Sequence, residues 1–352
     1  RLQGDWSSDV CSSDLRIYII GATAIAAGHF GFAYIADGLW TAVAVRAIAG
    51  FGWAGVYMTG LKLLADRVEP ELMRRAVAWH AAGIGAAGAI SFFYGDIVSQ
   101  LFGWHTAFAW AGWLSVLACA LVVSAAPSVS PPMPSNQTTA LLDFRPILKN
   151  RAAMAYALTY CIHTYEMSVM RGWGVAFLVY VASKGPDNTW TWVSPALTAT
   201  VLALVGTAMS VYGNGLSIKI GRPAIVRLAT ILSAIAAVAL GFLGPSAYWL
   251  AVTLAVISGA AIWLDSSTLT GGTSESAETG RRGQTLALHT TLGYAGGAAG
   301  PMVMGVILAS FAGPNGYSDL AWGLGFLHVA LLGLISRFIF CRLIADTTAK
   351  EP

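Results

Sequence analysis

Long apolar runs separated by short polar segments make up most of the chain from Ile17 to Ile344. Many of these runs approach the roughly 20 residues that an α-helix needs to cross a bilayer. Runs of this length exceed barrel strands, and a helix satisfies its own backbone hydrogen bonds in lipid. The pattern therefore predicts an all-α membrane protein with ten spans, over residues 17–36, 40–64, 76–99, 103–125, 153–182, 194–213, 225–243, 247–270, 284–311 and 320–343.

The composition agrees with lipid as the main solvent. Hydrophobic residues make up 56% of the 352 residues and charged residues only 11%, whereas a soluble domain carries about 25% charged residues. The net charge of +3 is scattered between the spans and does not indicate a nucleic-acid surface. The four cysteines show no paired spacing, so neither a disulfide framework nor a metal site is predicted, and no cofactor is expected.

Basic residues gather in every second connection between the predicted spans, so these connections share one side of the membrane. That side is predicted to be cytoplasmic. The opposite connections carry Asp37, Asp96, Asp187 and Asp319, with Lys184 as the basic exception. The tail at residues 345–352 is expected on the cytoplasmic side. The basic residues of that side are Arg16, Lys62, Arg67, Arg74, Arg75, Arg145, Lys149, Arg151, Lys219, Arg222, Arg227, Arg281, Arg282, Arg337, Arg342 and Lys350.

A proline- and serine-rich segment, residues 127–150, is predicted to be a flexible cytoplasmic linker. Four spans precede it, within residues 16–126, and six follow it, within residues 151–344. Residues 5–15 read DWSSDVCSSDL, which resembles the translation of a sequencing adapter, so residues 1–15 are expected to be non-native. The first half would then lack two helices, and the natural protein would have twelve.

Two polar motifs lie in or beside the spans. The segment after span 194–213 reads NGLSIKIGRP, and Arg46 begins RAIAGFGWAG inside span 40–64. The loops RRAVAWHAAG and RRGQTLALHT, which contain His80 and His289, look like internal copies.

Together these features resemble the major facilitator superfamily, whose loop pattern is G-x-L-A-D-R-x-G-R-R. The resemblance covers Arg16 to about Ile344 and implies two helical halves, of which ten of the twelve helices are present. It also implies alternating access around a solute site near the middle of the membrane, in a bacterial inner-membrane protein that works as a monomer. Lys219, Gly221 and Arg222 match the loop pattern and become gating candidates, while Ile218 replaces its Asp. The alternative is a basic turn that only follows the charge rule for cytoplasmic loops.

The span 153–182 contains YCIHTYEMSVMRGWG, with His163, Glu166 and Arg171. Glu166 lies about 20 Å into this helix, near the middle of the hydrocarbon layer, where a charged carboxylate is costly. His163 shares its face, whereas Arg171 points about 140° away. Either Glu166 and Arg171 have different partners, or the helix is broken near Gly172 and Gly174. We treat all three ionisable residues as candidates for solute or proton coupling, with an interhelical structural pair as the alternative.

Two further ionisable residues lie inside spans. Arg46 precedes Gly50, Gly52 and Gly55, which predicts close helix packing, and a packing role and a gating role are both open for Arg46. Asp265 in IWLDSSTLTGG is a proton-binding candidate, and a solvated cytoplasmic helix end is the alternative.

The leading prediction is a secondary transporter of a small solute, with proton coupling as one option. A membrane sensor or assembly factor that kept the fold and lost transport is the alternative. An enzyme is not predicted, because no extramembrane segment is long enough for a catalytic domain and no nucleophile or phosphate-loop motif occurs. The solute, the direction of transport and the choice among symport, antiport and uniport do not follow from the sequence.

Overall fold

The computed structural model describes residues 6–65, 70–125, 143–184, 193–279, 281–313 and 316–348. Within these ranges the chain is almost entirely helical, and the β-type pairing is an isolated bridge between Gly313 and Gly316. This confirms the predicted all-α class. The helices are α1 Trp6–Tyr34, α2 Leu39–Ala65, α3 Pro70–Phe102, α4 Trp104–Ala125, α5 Arg145–Lys149, α6 Arg151–Ala182, α7 Pro195–Ile220, α8 Arg222–Leu243, α9 Tyr248–Trp263, α10 Ser266–Glu275, α11 Arg282–Ser310 and α12 Asp319–Thr348.

Each predicted span overlaps a helix, and most boundaries agree to within several residues. Helix α1, however, begins at Trp6, well before residue 17, and the span 247–270 is divided between α9 and α10. Eight segments of the described chain are long and apolar enough to cross a membrane. The helices α3 and α6 are not among them, and α6 carries His163, Glu166 and Arg171, which lower its apolar content. The prediction of ten spans out of twelve therefore stays a prediction.

The chain divides into two compact units, Arg1–Asn136 and Gln137–Pro352. The division falls inside the predicted linker, of which residues 127–142 lie outside the described residues. Helix α1 includes residues 6–15 of the segment predicted to be non-native, and that assignment also stays a prediction.

In the first unit, α1 packs on α2 and α4. Gly21 and Gly52 meet where α1 and α2 approach most closely, since a Cβ atom added to Gly21 would lie 2.8 Å from the carbonyl oxygen of Gly52. Gly55 also faces α1, whereas Gly50 faces open space among the described residues. Two of the three predicted packing glycines thus bring the helices together.

In the second unit, α6 packs on α11, α12, α10 and α9. Glycines of α11 permit the closest of these contacts, because a Cβ atom on Gly300 would lie 2.6 Å from the carbonyl oxygen of Tyr165. Phe177 of α6 packs against Trp322 and Phe326 of α12 in the centre of this unit. Among the polar residues of α6, His163, Thr164 and Glu166 are buried between these helices.

Candidate functional site

His163 of α6 and Asp265 form a buried pair in the second unit. The His163 Nδ1 atom lies 3.0 Å from Asp265 Oδ1, and each side chain is only 4% exposed. Breaking such a pair by removing one partner is costly, because the remaining polar group stays buried without compensation. The pair therefore joins α6 firmly to the segment that contains Asp265.

Asp265 lies in a short break of the regular helical pattern between Trp263 and Ser266, where Leu264 and Asp265 keep right-handed helical backbone angles. The carbonyl group of Leu264 packs against Gly213 of α7, where no side chain would fit. Ser267 Oγ then lies 2.6 Å from Ser210 Oγ of α7. This break places Asp265, at 3% exposure, inside the helical bundle instead of at a solvated helix end.

Glu166 lies one turn beyond His163 on α6 and is 6% exposed. Its Oε1 atom packs against Gly333 of α12. His163, Glu166 and Asp265 line one small cavity together with Ser233 of α8, and the cavity has space for about one water molecule. Three of the five candidates for solute or proton coupling thus meet at one place.

The cavity carries an excess of negative charge when both carboxyl groups are ionised, because His163 supplies at most one positive charge. Arg171 does not compensate for it, since its side chain is exposed on another face of α6. Helix α6 continues through Gly172 and Gly174 to Ala182, so the alternative of a helix broken near these glycines is wrong. Glu166 must therefore be protonated, hydrated or paired with a small cation.

A stack of aromatic rings extends from this cavity. The ring of Tyr160 is nearly parallel to those of His163 and His289, with centroid distances of 5.8 Å and 3.8 Å. His289 Nδ1 lies 2.9 Å from Thr273 Oγ1 of α10. The sequence did not single out His289 as a site residue, although its place in the repeated loop pattern was a signal.

Arg46 lies in the first unit and is exposed there. Its guanidinium carbon is 5.9 Å from the ring centre of Phe32 and 6.0 Å from that of Phe108. This arrangement is a cation–π contact. It agrees with a role in packing, and the gating role stays a prediction.

The gating-loop candidates lie where α7 ends and α8 begins. Gly221 has a φ of 87°, a backbone conformation that glycine adopts without strain, and this permits the tight turn. Arg222 donates two hydrogen bonds to Glu275 of α10, of 2.8 Å and 2.6 Å, while Lys219 is exposed. Glu275 thus supplies a carboxylate to a loop in which Ile218 replaces the expected Asp.

Solved transporters share this fold. The nucleoside transporter NupG has a TM-score of 0.71 and 17% identity, with 96% of this chain and 84% of that chain covered. A bacterial homolog of the human lysosomal transporter Spinster has a TM-score of 0.73 and 15% identity, covering 97% and 86%. A mutant of the peptide transporter POT has a TM-score of 0.69 and 14% identity, covering 96% and 83%.

Identities this low establish a common fold and no more. No curated protein sequence matches the chain. The model of the Major Facilitator Superfamily, however, matches residues 4–301, which is most of the chain. The chain therefore belongs to the Major Facilitator Superfamily.

Proposed function

We propose that this protein is a secondary transporter that moves a small solute by alternating access, and that Glu166 couples the movement to protons. The observation that carries the proposal is the enclosure of Glu166 beside the His163–Asp265 pair, without a lysine or arginine among the described residues that line the cavity. Ionisable groups inside membrane helices commonly mark ion or substrate pathways. Family membership supports the transport of a solute.

The proposed coupling follows from the cost of burying charge. An ionised Glu166 is stabilised when water reaches the cavity and destabilised when the helices enclose it. A proton that binds on one side of the membrane and leaves on the other would therefore link the protonation of Glu166 to the opening of the cavity.

The proposal includes an orientation and a location. The alternation of basic loops supports a multi-pass protein of the bacterial inner membrane with a cytoplasmic C-terminus. The solute is a small molecule, and the protein is proposed to act as a monomer. Nucleosides and peptides are the first solutes to test, since two of the structural neighbours are named for them.

The test uses the protein in proteoliposomes with an imposed pH gradient and a panel of labelled solutes. Glu166→Gln should fold and insert, retain solute exchange without a gradient, and lose accumulation driven by the gradient. Glu278→Gln is the matched control, because Glu278 is exposed, lies outside the cavity and forms a 3.7 Å surface contact with Arg281. Gradient-driven accumulation that persists in well-folded Glu166→Gln would refute the coupling role. If no solute in a broad panel moves, the non-transporting sensor or assembly factor becomes the better description.

A further inference from the structure

A buried hydroxyl group at the same cavity has no role in the proposed proton coupling. Ser336 of α12 is 4% exposed and lines the cavity. Its Oγ atom has no hydrogen-bond partner among the described residues. A buried polar atom without a partner is costly, so a group that faces a cavity in this way is suited to bind a ligand there.

The cavity is lined by several potential oxygen ligands. The carboxyl groups of Glu166 and Asp265 and the hydroxyl groups of Ser233 and Ser336 all line it. Oxygen ligands of this kind suit hard cations. The chemistry of the cavity therefore points to a cation and excludes an anion.

Charge and size determine which cation fits. His163 supplies at most one positive charge, so the ionised carboxyl groups of Glu166 and Asp265 leave the cavity negative, which a bound cation would offset. The space accommodates about one water molecule. Mg²⁺ usually keeps several of its waters, and Ca²⁺ takes about six to eight oxygen ligands, so both need a larger site.

We propose that this cavity binds one small alkali-metal cation, Na⁺, through Glu166, Asp265, Ser233 and Ser336. The inference shares Glu166 with the proposed function but does not depend on transport. Na⁺ and a proton compete for the Glu166 carboxyl group, so binding of one excludes the other. The bound cation would connect helices α6, α8 and α12 and the segment after α9 inside the second unit.

The purified full chain in detergent provides the first measurement. Thermal unfolding is followed at pH about 8 while NaCl replaces choline chloride at constant ionic strength. A ligand that binds only the folded state raises the melting temperature in a saturable manner. Na⁺ and Li⁺ should produce this rise, and choline should not. Equilibrium binding of radioactive sodium then gives the affinity directly.

Two serines provide a matched pair of variants. Ser336→Ala removes the proposed ligand and should weaken Na⁺ binding severalfold. Ser258→Ala removes another buried hydroxyl group that has no partner in the described structure, but Ser258 does not line the cavity and its loss should leave Na⁺ binding unchanged. Glu166→Gln and Asp265→Asn should abolish binding. The serine pair keeps the test valid if either carboxyl variant fails to fold.

Competition with protons is measured by binding radioactive sodium at several pH values. His163 faces the cavity directly, His289 is linked to it through Tyr160, and His328 hydrogen-bonds Tyr165 on α6 at 2.9 Å. Because these histidines also titrate, the comparison is made with His289→Gln and His328→Gln. Sodium affinity should fall with falling pH in the wild-type protein and in both histidine variants.

Three results would overturn the inference. They are the absence of sodium binding to the wild-type protein, equal effects of Ser336→Ala and Ser258→Ala, and tighter binding of Mg²⁺ or Ca²⁺ than of Na⁺. None of them affects the proposed function, which rests on gradient-driven transport. Conversely, sodium binding without transport of any solute would support the cation site and count against the transporter.

Discussion

The carboxyl group of Glu166 on α6 packs directly against the backbone of Gly333 on α12. A Cβ atom added to Gly333 would lie 2.6 Å from Glu166 Oε1, a separation that real Cβ atoms do not tolerate. The absence of a side chain at Gly333 therefore fixes where the carboxyl group sits. A substitution at Gly333 can therefore move the carboxyl group while residue 166 stays a glutamate.

Gly333→Ala should displace the carboxyl group without removing it. Because the contacted atom ends a flexible side chain, Glu166 can rotate away, and the melting temperature should change by only a few degrees. Gradient-driven transport should fall strongly, and Glu166→Asp in the same protein should partly restore it, since the shorter side chain leaves room for the new methyl group.

Gly283→Ala is the matched control, because a Cβ atom on Gly283 would meet nothing within 4 Å among the described residues. It should leave transport unchanged. Normal gradient-driven transport in Gly333→Ala would show that the position of the Glu166 carboxyl group is not important for coupling.

Gly213→Ala should destabilise the second unit severely. Its methyl group would overlap the carbonyl group of Leu264, which is backbone and cannot rotate away. Overpacking of this kind typically costs about 1–3 kcal/mol, and here it also opposes the break that positions Asp265. The measurement is the melting temperature and the yield of monodisperse protein.

Gly215→Ala, two residues further along α7, provides the comparison. A Cβ atom at that position would meet nothing within 4 Å in the described part of the chain. It should match the wild type or exceed it slightly, because alanine favours helix over glycine by about 1 kcal/mol. Equal stability of the two variants would contradict the close approach of α7 to the break.

The contrast between these glycines shows where prediction from sequence succeeds. Apolar length and polar punctuation identified the long helices, because each is encoded by its own residues, but they missed α5, which lies in the segment predicted to be a flexible linker. They did not identify the break at Leu264 and Asp265, since the run from Tyr248 to Thr270 is locally compatible with one helix. The break depends on a contact with Gly213, which is about 50 residues away in sequence.

The candidate site divides in the same way. His163 and Glu166 could be paired from helix periodicity, because both belong to α6. The approach of Asp265 to His163 and of Tyr160 to His289 depends on packing between helices, which periodicity does not encode. Arg171 shows the converse, since its place inside a span suggested a buried role and its side chain is exposed.

The orientation can be tested at described positions of the second unit. Lys184, the basic exception on the predicted outer side, forms an ion pair with Asp319 at 2.6 Å, so it adds no unpaired positive charge there. In a cysteine-free background, Ser183→Cys should react with a membrane-impermeant maleimide added to intact cells. Thr279→Cys should react only after the membrane is opened.

Both positions are exposed, so a difference in labelling reports the side of the membrane and not burial. Labelling of both proteins after permeabilisation confirms that each cysteine is reactive. The reverse pattern in intact cells would invert the proposed orientation.

The buried pair of His163 and Asp265 should behave non-additively. Asp265→Asn removes the carboxyl group that contacts His163, and His163→Gln removes the imidazole ring that contacts Asp265. Either change should destabilise the protein by about 1–3 kcal/mol, because the remaining buried polar group loses its partner. The double variant puts two neutral amide groups in contact, and its stability should recover most of that loss.

Stability is measured by denaturant unfolding, and transport by accumulation under a pH gradient. If the pair only holds helices together, the double variant should also recover gradient-driven transport; if the pair takes part in coupling, transport should stay lost in a protein of restored stability. Losses of stability that simply add would show that the two side chains do not interact in the folded protein.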